Sequence, residues 1–208
     1  MALSLYQTSR ARKLLNELLR PRPLRLIGNL LRDLRFGGRF LGGAWRDPGL
    51  PPDSMPSENS EYADLAAYFS RIRIAPGSVV VDVGCGKGRV LNYLLGLRAP
   101  IRIIGYELSP PLAHFNARRL RRYRQVEIRE ADITSAPELE GDIFYLYNPF
   151  IGPSLRRFVA LLDREASRKP GLTVIYHNPV GFDLFAESGL WEVERCAGGA
   201  IFRAVCPR

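Results

Sequence analysis

The chain has very little lysine, very little histidine, and no long apolar run. Lys13, Lys87 and Lys169 are the only lysines among 30 basic residues, so its positive charge is almost all arginine. The histidines are His114 and His177. The cysteines, Cys85, Cys196 and Cys206, show no Cys-x-x-Cys spacing and no grouping with either histidine. A zinc site normally needs such spacing, so no metal is expected. An odd cysteine count without a secretory signal fits a reducing compartment. No stretch approaches the roughly 20 apolar residues of a transmembrane helix, and none is expected. The expected compartment is the cytoplasm. The alternative is an organellar matrix, because an Arg-rich, acid-poor N-terminus also suits a removable transit peptide. There is no internal repeat and no low-complexity tract.

What charge there is lies unevenly. Residues 1–46 contain Arg10, Arg12, Lys13, Arg20, Arg22, Arg25, Arg32, Arg35, Arg39 and Arg46 against Glu17 and Asp33, which places +8 of the net +9 there. A body built for DNA would carry its own basic face. The leader leaves nucleic acid open as a partner, but its interleaved aromatics are few (Phe36, Phe40, Trp45), which is poor material for base stacking. Two helices are expected in it. Residues 9–20 place Leu14, Leu15, Leu18 and Leu19 on one stripe, ended by Pro21 and Pro23. Residues 24–35 place Leu24, Ile27, Leu31 and Leu34 on one face, with Arg25, Arg32 and Arg35 beside it. Four readings follow for residues 9–46: an anionic membrane surface, an acidic partner, a cap over an acceptor pocket, or leucines packed on the body with solvated arginines.

Residues 1–60 therefore form a basic helical extension and linker, its last part (36–60) rich in Gly, Pro and Ser. Residues 61–208 form the main domain. Helical patterns are expected at 61–72, 89–95, 111–122, 154–166 and 181–188. Strands are expected at 78–83, 101–106, 126–129, 142–147 and 172–176. The strands at 191–196 and 200–206 close a hairpin around Gly198-Gly199. Strand and helix alternate, which calls for a doubly wound, mostly parallel α/β sheet with helices on both faces.

The chemistry-bearing segment is Val79-Val80-Val81-Asp82-Val83-Gly84-Cys85-Gly86-Lys87-Gly88-Arg89. An apolar strand runs into three alternate glycines and then a helix. Glycine lets the chain bend sharply and approach a ligand closely, and helix N-terminal amides then face the ligand. A dinucleotide fingerprint would need glycine where Arg89 stands. Asp82, inside the strand end, favours a cationic or amine-bearing ligand over a pyrophosphate. Glu107 ends the second strand, 25 residues beyond Asp82, where a carboxylate can accept from both ribose hydroxyls; its plain alternative is a surface acid at a strand end. Asp132 follows the third strand, able either to accept from an adenine amine or to cap a short helix at 135–139.

Together, Asp82-x-Gly84-x-Gly86-x-Gly88, Glu107 and Asp132 resemble the nucleoside-binding motifs of class I S-adenosylmethionine-dependent methyltransferases, over about residues 61–206. The resemblance implies a Rossmann-like seven-stranded sheet whose last hairpin supplies its one antiparallel strand. It implies that Asp82, Gly84, Cys85, Gly86 and Gly88 hold the methionine moiety of S-adenosylmethionine, that Glu107 with Leu108 holds the ribose, and that Asp132 with Ile133 reaches the adenine. Tyr147-Asn148-Pro149-Phe150 is similar to the Asn-Pro-Pro-Tyr motif of amino- and amide-methylating enzymes, with Phe150 in place of the second proline. There the asparagine side chain and a prolyl carbonyl accept from the target nitrogen; the plain alternative is an Asn-Pro turn. His177, in Tyr176-His177-Asn178-Pro179, is either a general base or a hydrogen-bonded strand-end residue. The expected activity is methyl transfer, to nitrogen, with a protein side chain or small molecule favoured over nucleic acid as acceptor. The alternatives are a nucleoside-binding module without catalysis and, lower still, a nicotinamide-dependent oxidoreductase.

Overall fold

Strand β1 (Val79–Val83) lies at the centre of the sheet because it is apolar on both sides, with Val80 and Val81 fully buried. Such two-faced strands belong inside parallel sheets. The computed structural model describes residues 22–205; the helix expected over 9–20 and Cys206 lie outside them. The chain begins there with α1 (Arg22–Arg35), crosses an irregular strap (36–61), and enters α2 (Tyr62–Phe69) and β1. Helices and strands then alternate: α3 (Arg89–Gly96), β2 (Arg102–Glu107), α4 (Pro110–Leu120), β3 (Val126–Glu130), a 3-10 turn (Ile133–Ser135), β4 (Ile143–Leu146), α5 (Gly152–Ala166), β5 (Thr173–His177) and α6 (Phe182–Glu187). The hairpin β6 (Trp191–Cys196) and β7 (Gly199–Ala204) closes it.

The seven strands run in the order β3-β2-β1-β4-β5-β7-β6. All neighbours from β3 to β5 pair parallel, and β7 alone runs against the rest. This is the mostly parallel sheet with a C-terminal antiparallel hairpin that the alternation called for. Side chains along each strand alternate between two cores. On one face Val81, Phe144, Val174 and Phe202 pack with Phe158 and Leu162 of α5 and Phe185 of α6. On the other, Val80, Ile103, Tyr145 and Ile201 pack with Leu65 and Tyr68 of α2 and with Leu91 and Leu94 of α3. Each such aliphatic side chain contributes roughly 1.5–3 kcal/mol when fully buried. The strand order reverses between β1 and β4, which opens a crevice at their carboxyl ends. No helix among the described residues is long and apolar enough to cross a membrane.

Helix α2 stops at Phe69, short of the expected Ile72. The Ser70 amide bonds back to the Ala66 carbonyl and the Arg71 amide to that of Tyr68, which tightens the last turn. Helix α1 departs further from expectation. It meets the body through Asn29 and Asp33, both buried, while Leu26, Ile27, Leu31 and Leu34 are exposed. The reading in which these leucines pack on the body is therefore corrected: a polar anchor outcompetes them. The Asp33 carboxylate accepts from the Arg89 guanidinium (3.1 and 2.9 Å), the Tyr62 hydroxyl (2.9 Å) and the Leu41 amide (3.1 Å). Removing one partner of such a buried pair strands the other charge. Asp33→Ala should therefore lower stability by about 3–5 kcal/mol in urea denaturation, and the double variant Asp33→Leu/Arg89→Met should restore most of it.

Candidate active site at the carboxyl edge of the sheet

The crevice beyond β1 and β4 is a cavity of about 330 Å³, within the usual size range for small-molecule sites of roughly 300–1,000 Å³. Its floor is Asp82, Gly84 and Cys85 from the β1 end; one wall is Glu107 to Ser109; another is Ala131, Asp132 and Ile133; a third is Tyr145 to Phe150. The strap from Trp45 to Ser60 forms the roof. Among the lining residues, Asp47, Glu58, Asp82, Glu107 and Asp132 outnumber Arg46 and Arg89, and Arg89 is already paired with Asp33. The cavity is acidic.

Asp82 is buried, and its Oδ2 has no hydrogen-bond partner. Desolvation, reinforced by the Glu107 charge, pushes its pKa well above the carboxylate range. An orphaned acceptor in such a place suits a ligand bearing a positive charge or an N–H donor. Glu107 is also buried, and desolvation raises its pKa. Its Oε2 accepts from the Gly86 amide at 2.7 Å and its Oε1 from the Ser109 amide at 2.8 Å. The strand-end acid thus ties the glycine loop to the start of α4 while lining the cavity. Asp132 caps the 3-10 turn, accepting from the Thr134 amide (2.9 Å) and the Ser135 hydroxyl (3.0 Å). It does so while lining the cavity, so the capping role and a ligand role share one carboxylate.

The glycine loop works differently from expectation. Gly84 lines the cavity; Gly86 and Gly88 do not. The Cys85 amide donates to the Tyr106 carbonyl (2.8 Å), the Gly86 amide to Glu107, and the Gly88 amide to the Cys85 carbonyl (2.7 Å). These amides hold the loop rather than a ligand, which argues against an anion cradle of the pyrophosphate kind. Glycine is still required. At Gly86 (φ +52°) a Cβ would lie 2.1 Å from Ser57 Oγ, and at Gly88 (φ +82°) 2.3 Å from an Arg119 guanidinium nitrogen. Arg119 donates to the carbonyls of Lys87 and Gly88, and Asn116 to that of Gly86. Burial pulls the Arg119 pKa down to about 10, leaving it charged at neutral pH. Cys85 is buried with its thiol pKa pushed up, so it is an inert wall residue.

Tyr147, Asn148 and Pro149 all line the cavity. The two acceptors expected from the Asn-Pro pattern are engaged elsewhere. Asn148 Nδ2 donates to the Asn178 carbonyl at 2.8 Å, its Oδ1 faces the Val180 amide at 3.5 Å, and the Pro149 carbonyl accepts from the Met55 amide at 3.0 Å. Asn148 and Asn178 both take left-handed backbone (φ +45° and +52°), so the ends of β4 and β5 turn in parallel and lock together.

Ser60, Asp64 and Tyr145 escaped the sequence reading, and they join the histidine it named. Ser60 Oγ lies 2.7 Å from the Tyr145 hydroxyl, which lies 3.0 Å from His177 Nδ1; His177 Nε2 is 4.0 Å from Asp64. The Tyr147 ring stacks on the imidazole at 4.3 Å. Ser60 and Tyr145 border the cavity and His177 sits behind them, buried. A polar chain therefore leads from the cavity to the half-exposed Asp64. Nothing in local sequence links residues 60, 64, 145 and 177; the sheet brings them together. The strap, too, is pinned: Lys87 Nζ donates to the carbonyls of Gly42 and Gly43, and Ser109 Oγ donates to Asp47. His114 is exposed beside Glu130, away from all this.

Residues 80–155 match the family described as a methyltransferase domain. Solved structures of the same fold include a SAM-dependent methyltransferase from Aquifex aeolicus (16 % identity, 68 % of this chain and 88 % of that one, TM-score 0.53). A mutant of MtNAS in complex with S-adenosylmethionine aligns at 20 % identity over 70 % of this chain and 62 % of that one, TM-score 0.53. The N-methyltransferase NodS from Bradyrhizobium japonicum WM9 aligns at 13 % identity over 69 % and 96 %, TM-score 0.52. No curated protein matches the sequence.

The Asp82 geometry has a consequence for stability. Its folded-state pKa is raised, so the ligand-free protein retains a proton that the unfolded chain releases near pH 4. Ligand-free stability should therefore lose this contribution as pH rises from about 4 through the folded-state value. Asp82→Asn should raise the ligand-free Tm at neutral pH, by about 2–4 °C for each kcal/mol relieved, and flatten that pH dependence. Scanning calorimetry across the acid and neutral range measures both; a lower Tm at every pH would contradict the assignment.

Proposed function

We propose that this chain is a class I, Rossmann-like S-adenosylmethionine-dependent methyltransferase, and that it methylates an amine nitrogen of a small molecule or side chain held beneath the strap. The observation that carries the reading is the unpaired, buried oxygen of Asp82 in an acidic cavity. S-adenosylmethionine supplies an activated methyl group on a positively charged sulfonium. Asp82 would hold the cofactor's ammonium end, Glu107 its ribose hydroxyls, and Asp132 with Leu108 and Ile133 its adenine. The engaged amides of the glycine loop support this over a nicotinamide cofactor, whose pyrophosphate would need free ones.

The acidic lining also attracts a protonated amine. Such an acceptor must lose a proton before it can attack. The Ser60–Tyr145–His177–Asp64 chain offers the route: the Tyr145 hydroxyl accepts from the amine while donating its own proton to His177 Nδ1, and Asp64 faces Nε2. Burial keeps the Tyr145 hydroxyl neutral, so it passes a proton without holding charge. Burial of the acceptor under the strap excludes water, and its alignment with the methyl group contributes roughly 7–11 kcal/mol of barrier lowering.

A second reading, a cofactor-binding module without catalysis, is favoured by the engagement of Asn148 and the Pro149 carbonyl. Labelled methyl transfer to an amine panel separates the two: the module would bind the cofactor yet leave every amine unlabelled. In the active protein, Tyr145→Phe should lower kcat about 10²-fold, as loss of general base catalysis does, with cofactor affinity nearly unchanged. The deficit should shrink as pH rises toward the amine's own pKa; a pH-independent loss would mean that Tyr145 only shapes the site.

A further inference from the structure

The outer face of α1 is built the wrong way round for a helix that serves only the body. Ile27, Leu31 and Leu34 lie opposite the buried pair Asn29 and Asp33, at 53, 64 and 43 % exposure. Leu26 is exposed on the side of the helix that carries Asp33, and Phe40 and Trp45 are exposed after the helix. Surface leucines scattered singly need no explanation, but a row on one helix face does.

The charges around that row say what it fits. Arg32 and Arg35 in the last turn, and Arg39 and Arg46 after it, are exposed. Arg32 lies over the Tyr62 ring and Arg35 over Phe36. Asp33 is the only acid in residues 22–46, and it is fully buried against Arg89. The outward surface of this segment is therefore apolar and cationic, with no exposed carboxylate. A second copy of the same face would bring arginines against arginines. Nucleic acid would satisfy the arginines but leave the leucines in water.

We infer that α1 and the residues after it dock on an anionic lipid surface, with the leucine row entering the apolar boundary and the arginines at the headgroups. Amphipathic interfacial helices combine these features, and each basic residue near an anionic leaflet adds to the attraction. The polar anchor through Asp33 makes this possible without unfolding, because the apolar face is free while the helix stays attached. Residues 10–20 continue the same composition, with Arg10, Arg12, Lys13 and Arg20 beside Leu14, Leu15, Leu18 and Leu19. The strap that follows α1 reaches the cavity at Trp45, which both lines it and is exposed. Docking would therefore hold the cavity roof next to the lipid surface.

Co-sedimentation of the full chain with vesicles tests this. Binding is expected to vesicles of phosphatidylglycerol with phosphatidylcholine, and not to phosphatidylcholine alone. Ile27→Ser/Leu31→Ser, which changes no charge, should weaken binding at least about tenfold, since each buried methylene contributes to insertion. Arg32→Gln/Arg35→Gln should weaken it and reduce its salt sensitivity. Thermal melting confirms that both variants are folded. No binding to anionic vesicles would overturn the inference, whatever else covers the row. So would undiminished binding by the serine variant, or a dimer in light scattering that the serine variant abolishes. Tight binding to a nucleic acid duplex that competes with vesicles and survives the serine changes would also overturn it.

Discussion

Asp82 keeps one carboxylate oxygen inside the protein without a donor, near the end of β1, and the surrounding site follows from that constraint. The charge is disfavoured there by desolvation and by Glu107, so the fold carries a buried polar group that no protein donor satisfies. The neighbouring loop spends its amides on Tyr106, Cys85 and Glu107, so nothing nearby relieves it. The strap then closes over the cavity, placing Ser57 where Gly86 has no side chain.

The fold's second constraint lies at Asp33. One buried carboxylate draws α1, α2, α3 and the strap to a common point through Arg89, Tyr62 and Leu41. Because that anchor is polar, the hydrophobic stripe of α1 is not used for packing. A helix held by an ion pair can leave its apolar face outward at no cost to the core, which a helix held by leucines cannot. The same anchor holds Leu41 of the strap, so α1 is tied to the segment that lines the cavity.

The acceptor side of the cavity rests on side chains from three strands and the strap. The left-handed turns at Asn148 and Asn178 lock the ends of β4 and β5 together, and that lock consumes the Asn148 amide. In exchange it sets Tyr145, Tyr147 and His177 side by side. Asn148 and Pro149 line the cavity with their acceptors engaged, and Tyr145 and Ser60 line it beside them.

Local sequence determined the strands, the helices and the glycine loop. Hydrophobic runs of strand length, helical spacing and an acid before three glycines act over a few residues and need no partner. Hence Asp82, Gly84, Glu107, Asp132 and the Asn148 segment could be named as candidates before any fold was drawn, and the structure gathers them at one cavity. Tertiary structure alone decided what each group is left free to do. Asn148 and the Cys85 and Gly86 amides are spent on neighbours distant in sequence; Tyr145 and His177 meet because β4 and β5 are adjacent, and the strap brings Ser60 to them; and the α1 leucines face outward because Asp33 finds Arg89 56 residues away. Hydrogen-bond and ion-pair partners are chosen across the fold, and no periodicity along the chain records that choice.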